Sequence, residues 1–261
     1  MKVQKTAGLV GAGGVSQSFL ARMPALLERL GPVKGVSFQV SCRIANGLRA
    51  GFGVRSYRAL QECDLIWIAV PENMLDSITH QIASEIDLDG KMVVLCGALR
   101  DSLGPSPLRT AGARLASLNC VPASEERTFA AEGHPAAMTE LRRLLAMDAR
   151  KLIPIRDASK PLYLSGVYLG EHLLLPWIAG AVESLRAAGF QRADAMRTVQ
   201  ALATRALRAY AKAGDKAWNR AAAEHLRRAI EHDLEAIRLT DRRLALLYSN
   251  GAGCLHRFFR P

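Results

Sequence analysis

From residue 6 to about residue 155, short apolar runs alternate with stretches of helical period. The runs are TAGLVG, VSFQVSC, DLIWIAV, KMVVLCG, ARLASLN and RKLIPI. They are rich in Val, Ile and Leu and are mostly continuous, which is the pattern of strands covered on both faces. Such strands separated by helical stretches predict a parallel sheet with helices on both sides, the α/β doubly wound class. From about Ala158 the period changes. KPLYLSGVYLGEHLLLPWIAGAVESLRAAGF, RADAMRTVQALATRALRAYAKAG and the long segment from DKAWNR to SNGAG have helical spacing and no β-rich interruption. Gly189, Gly214 and Gly251 stand just past apolar-periodic stretches, where helices stop. The predicted organisation is an α/β domain over 1–157 and an all-helical domain over 158–261.

Composition supports two modest cores. The chain has 261 residues and is 49% hydrophobic but only 6% aromatic, so its cores should be aliphatic. Cys42, Cys63, Cys96, Cys120 and Cys254 are odd in number and have no metal-like spacing, which points to reduced thiols. MKVQKT leads straight into a strand and a glycine turn, and no apolar run approaches the roughly 18 residues of a membrane span. A cytoplasmic protein without a membrane partner is expected. The net charge of +11 admits a nucleic-acid partner. The arginines, however, are interleaved with acids, as in RRAIEHDLEAIRLTDRR, which is how a solvated helix face reads. Nucleic acid is therefore the weakest of the partner readings.

The strand TAGLV runs into Gly11-Ala12-Gly13-Gly14-Val15-Ser16 and then into the helical pattern QSFLARMPALLERL. The first glycine permits a tight turn, the second lets the backbone approach a pyrophosphate, and the small Ser16 takes the third position for helix packing. The helix N-terminus offers free N–H groups to phosphates. A glycine turn without a ligand is the plainer alternative. After the next predicted strand an NAD-selective site carries an acid. This chain has Ser41-Cys42-Arg43 there. Ser41 and Arg43, helped by Arg49 or Arg55, would suit a 2′-phosphate, so NADP is expected, with NAD the alternative; Arg43 would otherwise be an ordinary surface residue. Ligands in such sheets sit outside the strand carboxyl ends, which places Val70-Pro71 and Gly97-Ala98 beside the nicotinamide, with Asn119 to Pro122 near it.

With GAGGVS, DLIWIAVPENML, VVLCGAL and Lys160-Pro161-Leu162-Tyr163 in this order, the chain resembles Rossmann-like oxidoreductases with a C-terminal helical domain of unknown function. These are related to pyrroline-5-carboxylate reductase, ketopantoate reductase and the β-hydroxyacid dehydrogenases. The resemblance covers nearly the whole chain. It implies a homodimer built by the helical domain, with the active site between the domains. Where that family has a serine before the glycine of the fourth strand, this chain has Cys96. Where the family's fifth strand ends in a histidine, it has Asn119. Where the long helix has a histidine and then an asparagine, it has Leu164 and His172.

Hydride transfer asks the protein for orientation and a proton source. Lys160 stands where related dehydrogenases place a catalytic lysine; a surface lysine is the alternative. At 100° per residue, Lys160, Tyr168 and Glu171 fall within about 80° of one another, with Ser165 and His172 beside Tyr168. This polar stripe on an apolar helix, expected to be buried, would line a substrate cleft, with His172 as proton donor. A core histidine bonded to a helix carbonyl is the alternative. His225 and His232 lack a third ligand, so no metal is expected. The leading expectation is an NADP-dependent oxidoreductase for a small carbonyl, imine or hydroxy/amino acid at an interdomain cleft. The alternative is a nucleotide-binding sensor or scaffold with altered catalysis.

Overall fold

The computed structural model describes residues 6–14, 19–102, 106–122, 128–217 and 220–258. Two compact units are present, Met1–Val167 and Tyr168–Pro261.

The first unit is built on one eight-stranded sheet. Its strands are β1 (Ala7–Gly11), β2 (Leu30–Lys34), β3 (Phe52–Val54), β4 (Leu65–Ala69), β5 (Met92–Cys96), β6 (Arg114–Cys120), β7 (Thr128–Gly133) and β8 (Lys151–Pro154). They lie in the order β3-β2-β1-β4-β5-β6-β7-β8, and every neighbouring pair is parallel except β6 and β7. The sheet is covered on both faces, as the continuous apolar runs predict. Along β4, Trp67 packs on one side with Leu9, Val94 and Phe129. Ile66 and Ile68 point to the other, against Leu75, Ile78 and Leu108. The helices on these faces include α1 (Phe38–Leu48), α2 (Glu72–Glu85) and α3 (Pro135–Met147). With its helical second unit, the chain has the doubly wound α/β fold expected, with a helical C-terminal region.

Three expectations need correction. First, VSFQVSC is not a strand. Ser37 caps α1 by accepting from Val40 N–H at 3.3 Å, and Ile44, Ala45 and Leu48 continue the apolar side at helical spacing. The second strand is LGPVK, whose Gly31 and Pro32 break the apolar run that would have revealed it. Second, the long helix after Lys160 is interrupted. α4 (Lys160–Gly170) ends in a turn, and α5 (Leu175–Ala187) starts with Pro176 in its first turn. Third, Gly251 does not stop a helix. It lies within the last helix, α8, after α6 (Arg192–Ala213) and α7 (Arg220–Thr240); α8 spans Arg242–Phe258. A Cβ at Gly251 would sit 2.7 Å from the Trp177 ring of α5, so the glycine serves close packing within the helical unit. Gly189 and Gly214 do follow helix ends, with φ of 100° and 55°.

Candidate active site

The strand order reverses between β1 and β4: the chain builds outward through β2 and β3, then returns to add β4 and β5 on the other side. The carboxyl ends on either side of that reversal form the crevice where such sheets hold ligands. Gly11 closes β1, followed by Ala12, Gly13 and Gly14. Gly13 has φ +80°, and a Cβ built on Gly13 or Gly14 would meet nothing within 4 Å among the described residues. The backbone here is open to close approach by a ligand. Val15 and Ser16 lie outside the described residues.

At the end of β2 the structure takes Ser41 out of the expected constellation and brings Arg55 to the strand end. Ser41 is wholly buried on α1 and cannot reach a ribose. Its hydroxyl accepts from Gly35 N–H at 2.7 Å and lies 3.0 Å from both Ser37 O and Val54 O, so it ties the turn after β2 to the end of β3. Arg43 is exposed on the same helix and lines a surface hollow together with Phe38, Gln39 and Cys42. Arg49 caps the opposite end of α1. Residues 34–38 at the strand end are Lys-Gly-Val-Ser-Phe, with no carboxylate. The parallel register Lys34↔Val54 brings Arg55 to the same place, its guanidinium 4.2 Å over the Phe38 ring. Lys34 Nζ is bonded to Gly35 O at 2.5 Å and lies 4.8 Å over Tyr57; its burial lowers its pKa, against the opposing pull of Glu85.

Val70 and Pro71 follow β4, and Pro71 precedes the first turn of α2. Gly97 and Ala98 follow β5 and begin a loop held by many hydrogen bonds. Gly97 N–H donates to Leu118 O at 2.8 Å, and Ala98 O accepts from Asn119 Nδ2 at 3.3 Å. Leu99 N–H donates to Glu72 Oε2 at 2.9 Å, and Arg100 forms ion pairs with Glu72 and Asp76. The hydrogen bond from Arg100 holds the Asp76 carboxyl below its usual range. Gly97 has φ +69°, and a Cβ added to it would also meet nothing within 4 Å among the described residues. Asn119 Oδ1 is buried without a hydrogen-bond partner among the described residues. Two open glycine turns, an orphaned amide oxygen and a fixed loop suit a dinucleotide laid across the strand ends.

Of the residues expected to carry chemistry, Lys160 lies in the first unit and has no exposed surface. Its Nζ donates to Arg100 O at 2.8 Å and sits 3.9 Å from Glu132 Oε1. Burial lowers its pKa to about 8, against the attraction of Glu132, Asp101, Glu72 and Cys96. The other four are not on a buried helix face. Ser165 and Tyr168 are exposed on α4, while Glu171 and His172 are exposed in the turn that ends it. The Tyr168 and His172 rings meet edge to face at 5.9 Å, and His172 Nδ1 is 3.9 Å from Glu171 Oε2. Cys96 is buried, and burial pushes its thiol pKa far up, so it is inert lining. Cys120 Sγ accepts from Arg22 Nη1 at 2.9 Å. Glu132, Phe38 and Glu72 carry no motif that the sequence would flag; only β7, with its short apolar run, could have pointed to Glu132.

No protein-family model matches the chain, and no curated protein matches it. Its similarity to solved structures is extensive in shape and low in identity. An imine reductase from Myxococcus stipitatus in complex with NADP+ superposes with a TM-score of 0.69 at 16% identity, over 97% of this chain and 95% of that one. An imine reductase from Bacillus cereus gives 0.63 at 16%, over 96% and 94%. A pyrroline-5-carboxylate reductase from Coxiella burnetii gives 0.56 at 10%, over 97% and 98%. The chain thus shares the fold of these proteins along nearly its whole length: a Rossmann-like sheet followed by a helical region. At such identities the likeness is one of fold.

Proposed function

We propose that this chain is an NADP-dependent oxidoreductase that transfers a hydride to or from a small carbonyl, imine or hydroxy/amino acid. The observation that carries the reading is the open glycine turn at the sheet's reversal point, with a hydrogen-bonded loop after β5 at the same end of the sheet. The likeness to two imine reductases, one of them bound to NADP+, supports the same class. Gly11 to Gly14 would hold the pyrophosphate with backbone N–H groups. Val70, Pro71, Gly97 and Ala98 would border the nicotinamide, which when bound supplies or accepts the hydride. Arg55, stacked on Phe38 at a strand end that carries no acid, would read the 2′-phosphate. NADPH is expected to bind more tightly than NADH. Arg55→Ala should weaken NADPH binding at least tenfold and leave NADH within twofold. Equal losses for both, measured by fluorescence titration, would reassign the residue.

Proton delivery is assigned to His172, with Glu171 and Tyr168 beside it and Ser165 on the same exposed segment. An imidazole is the side chain suited to exchanging protons at neutral pH. His172→Ala is expected to lower kcat a hundredfold or more, with NADPH affinity unchanged. Turnover near wild type would remove it from the mechanism.

The helical unit is proposed to pack against a second copy. Leu169, Leu175, Trp177, Leu202, Leu207 and Tyr210 are exposed on it, apolar surface that a second copy would cover. A monomeric mass in sedimentation would end that part of the reading. The five unpaired cysteines fit a reducing, cytoplasmic setting. Among the described residues no helix is long and apolar enough to cross a membrane.

A further inference from the structure

Glu132 is almost wholly buried in β7, flanked by apolar residues. Its carboxylate accepts from Ser102 N–H at 3.0 Å, from Ser102 Oγ at 2.6 Å and from Ser117 Oγ. Lys160, equally buried, completes the group with its 3.9 Å approach to Glu132 and its bond to Arg100 O. Opposite charges so deeply buried are costly to desolvate, and well-packed apolar side chains could fill the same volume. What the polar set adds is direction. Three of its bonds end on one loop: two on Ser102 and one on Arg100. The start of that loop is held by Leu118, Asn119 and Glu72. Glu132 and Lys160 thus fix its far half from beneath.

We propose that Glu132 and Lys160 are positioning residues that lock the loop Gly97–Ser102 in the conformation needed to border the cofactor, and that Lys160 itself carries no proton to substrate. The proposal rests on the reading of this crevice as a dinucleotide site. A wall ordered before the ligand arrives spares binding the entropy of ordering it. Lys160 acts on Arg100 O from a position without solvent access, whereas a proton donor must reach the reacting atom.

The test compares wild type, Glu132→Gln, Lys160→Gln and the double variant. NADPH binding is measured beside binding of adenosine 2′,5′-bisphosphate, which contains only the adenine end. Amide hydrogen exchange is followed in the cofactor-free proteins. Each single variant is expected to weaken NADPH binding at least tenfold, with the bisphosphate within twofold of wild type. The double variant should be no worse than the weaker single one, because the pair acts as a unit. Exchange at residues 97–102 should accelerate tenfold or more, while Val93 to Leu95 in β5 keep their protection. Unchanged loop exchange and NADPH affinity would overturn the proposal. So would equal losses for both ligands with β5 exchanging faster, since that is a general loosening of the sheet. Wild-type protein that binds neither ligand would overturn the cofactor reading, and the wall's role with it. Loss of loop protection with bisphosphate binding retained separates the two.

Discussion

Gly133→Ala is expected to leave the first unit unfolded or severely destabilised, by about 4 kcal/mol or more, at the upper end of what single substitutions cost. Gly133 ends β7 opposite Ala116 in the antiparallel pair with β6, with φ +143°. A Cβ there would lie 2.5 Å from both the Ala116 Cα and the Leu115 O, which are backbone atoms of a central strand. No rotamer relieves that contact. The alanine must also adopt a backbone region that side chains rarely enter. To escape, β7 must move off β6, which breaks the register that puts Glu132 opposite Ser117. Urea denaturation followed by circular dichroism is the check. A variant within about 1 kcal/mol of wild type, the range of an ordinary substitution, would mean that β7 tolerates a shift the close approach does not suggest.

The second large effect concerns pH. The Lys160 pKa falls from the ordinary lysine value of 10.5 to about 8, principally through burial. In the unfolded chain it returns to the ordinary value. Below pH 8 the lysine is protonated in both states and contributes no slope. Between pH 8 and 10.5 the unfolded state binds more protons, so this residue's contribution makes folding more favourable as pH rises. At about 1.36 kcal/mol per unit, the full window amounts to about 3 kcal/mol. The Glu132→Gln/Lys160→Met double variant, with neither buried charge, should lack this rise. Urea midpoints at about pH 7.5 and about pH 9.5 for both proteins are the measurement, and the difference between them isolates the pair from other titrating groups. The same slope in both would show that Lys160 keeps its solution pKa when folded.

Glu132 and Lys160 also show why the site is only partly legible in the sequence. Lys160 is marked by its place at the start of a helix, but its partner lies 28 residues earlier on a strand whose apolar run is only three residues long. No local pattern joins them. Ser41 is out of reach of a ribose because VSFQVSC alternates like a strand, while its apolar period extends into a helix capped by Ser37 that buries the serine. Arg55 lies beyond the turn that only strand pairing closes. The polar stripe from Lys160 to His172 requires one continuous buried helix. The break after Gly170 leaves Glu171 and His172 in a turn with solvent around them.

The class of architecture and the glycine turn after the first strand can be read from the chain alone. Continuous apolar runs and a glycine-rich strand-to-helix junction are local consequences of burial on two faces and of backbone freedom, so they show in the sequence where they occur. The helical C-terminal region after the α/β part follows from the change in apolar period for the same reason. Which side chains meet at the crevice is settled only by the packed fold. Strand pairing sets Arg55 beside Phe38 and Glu132 beside Ser117, and long-range contacts bring Lys160 and Ser102 onto that carboxylate. Those contacts depend on register and burial across the sheet, where a shift of one residue turns every side chain to the other face.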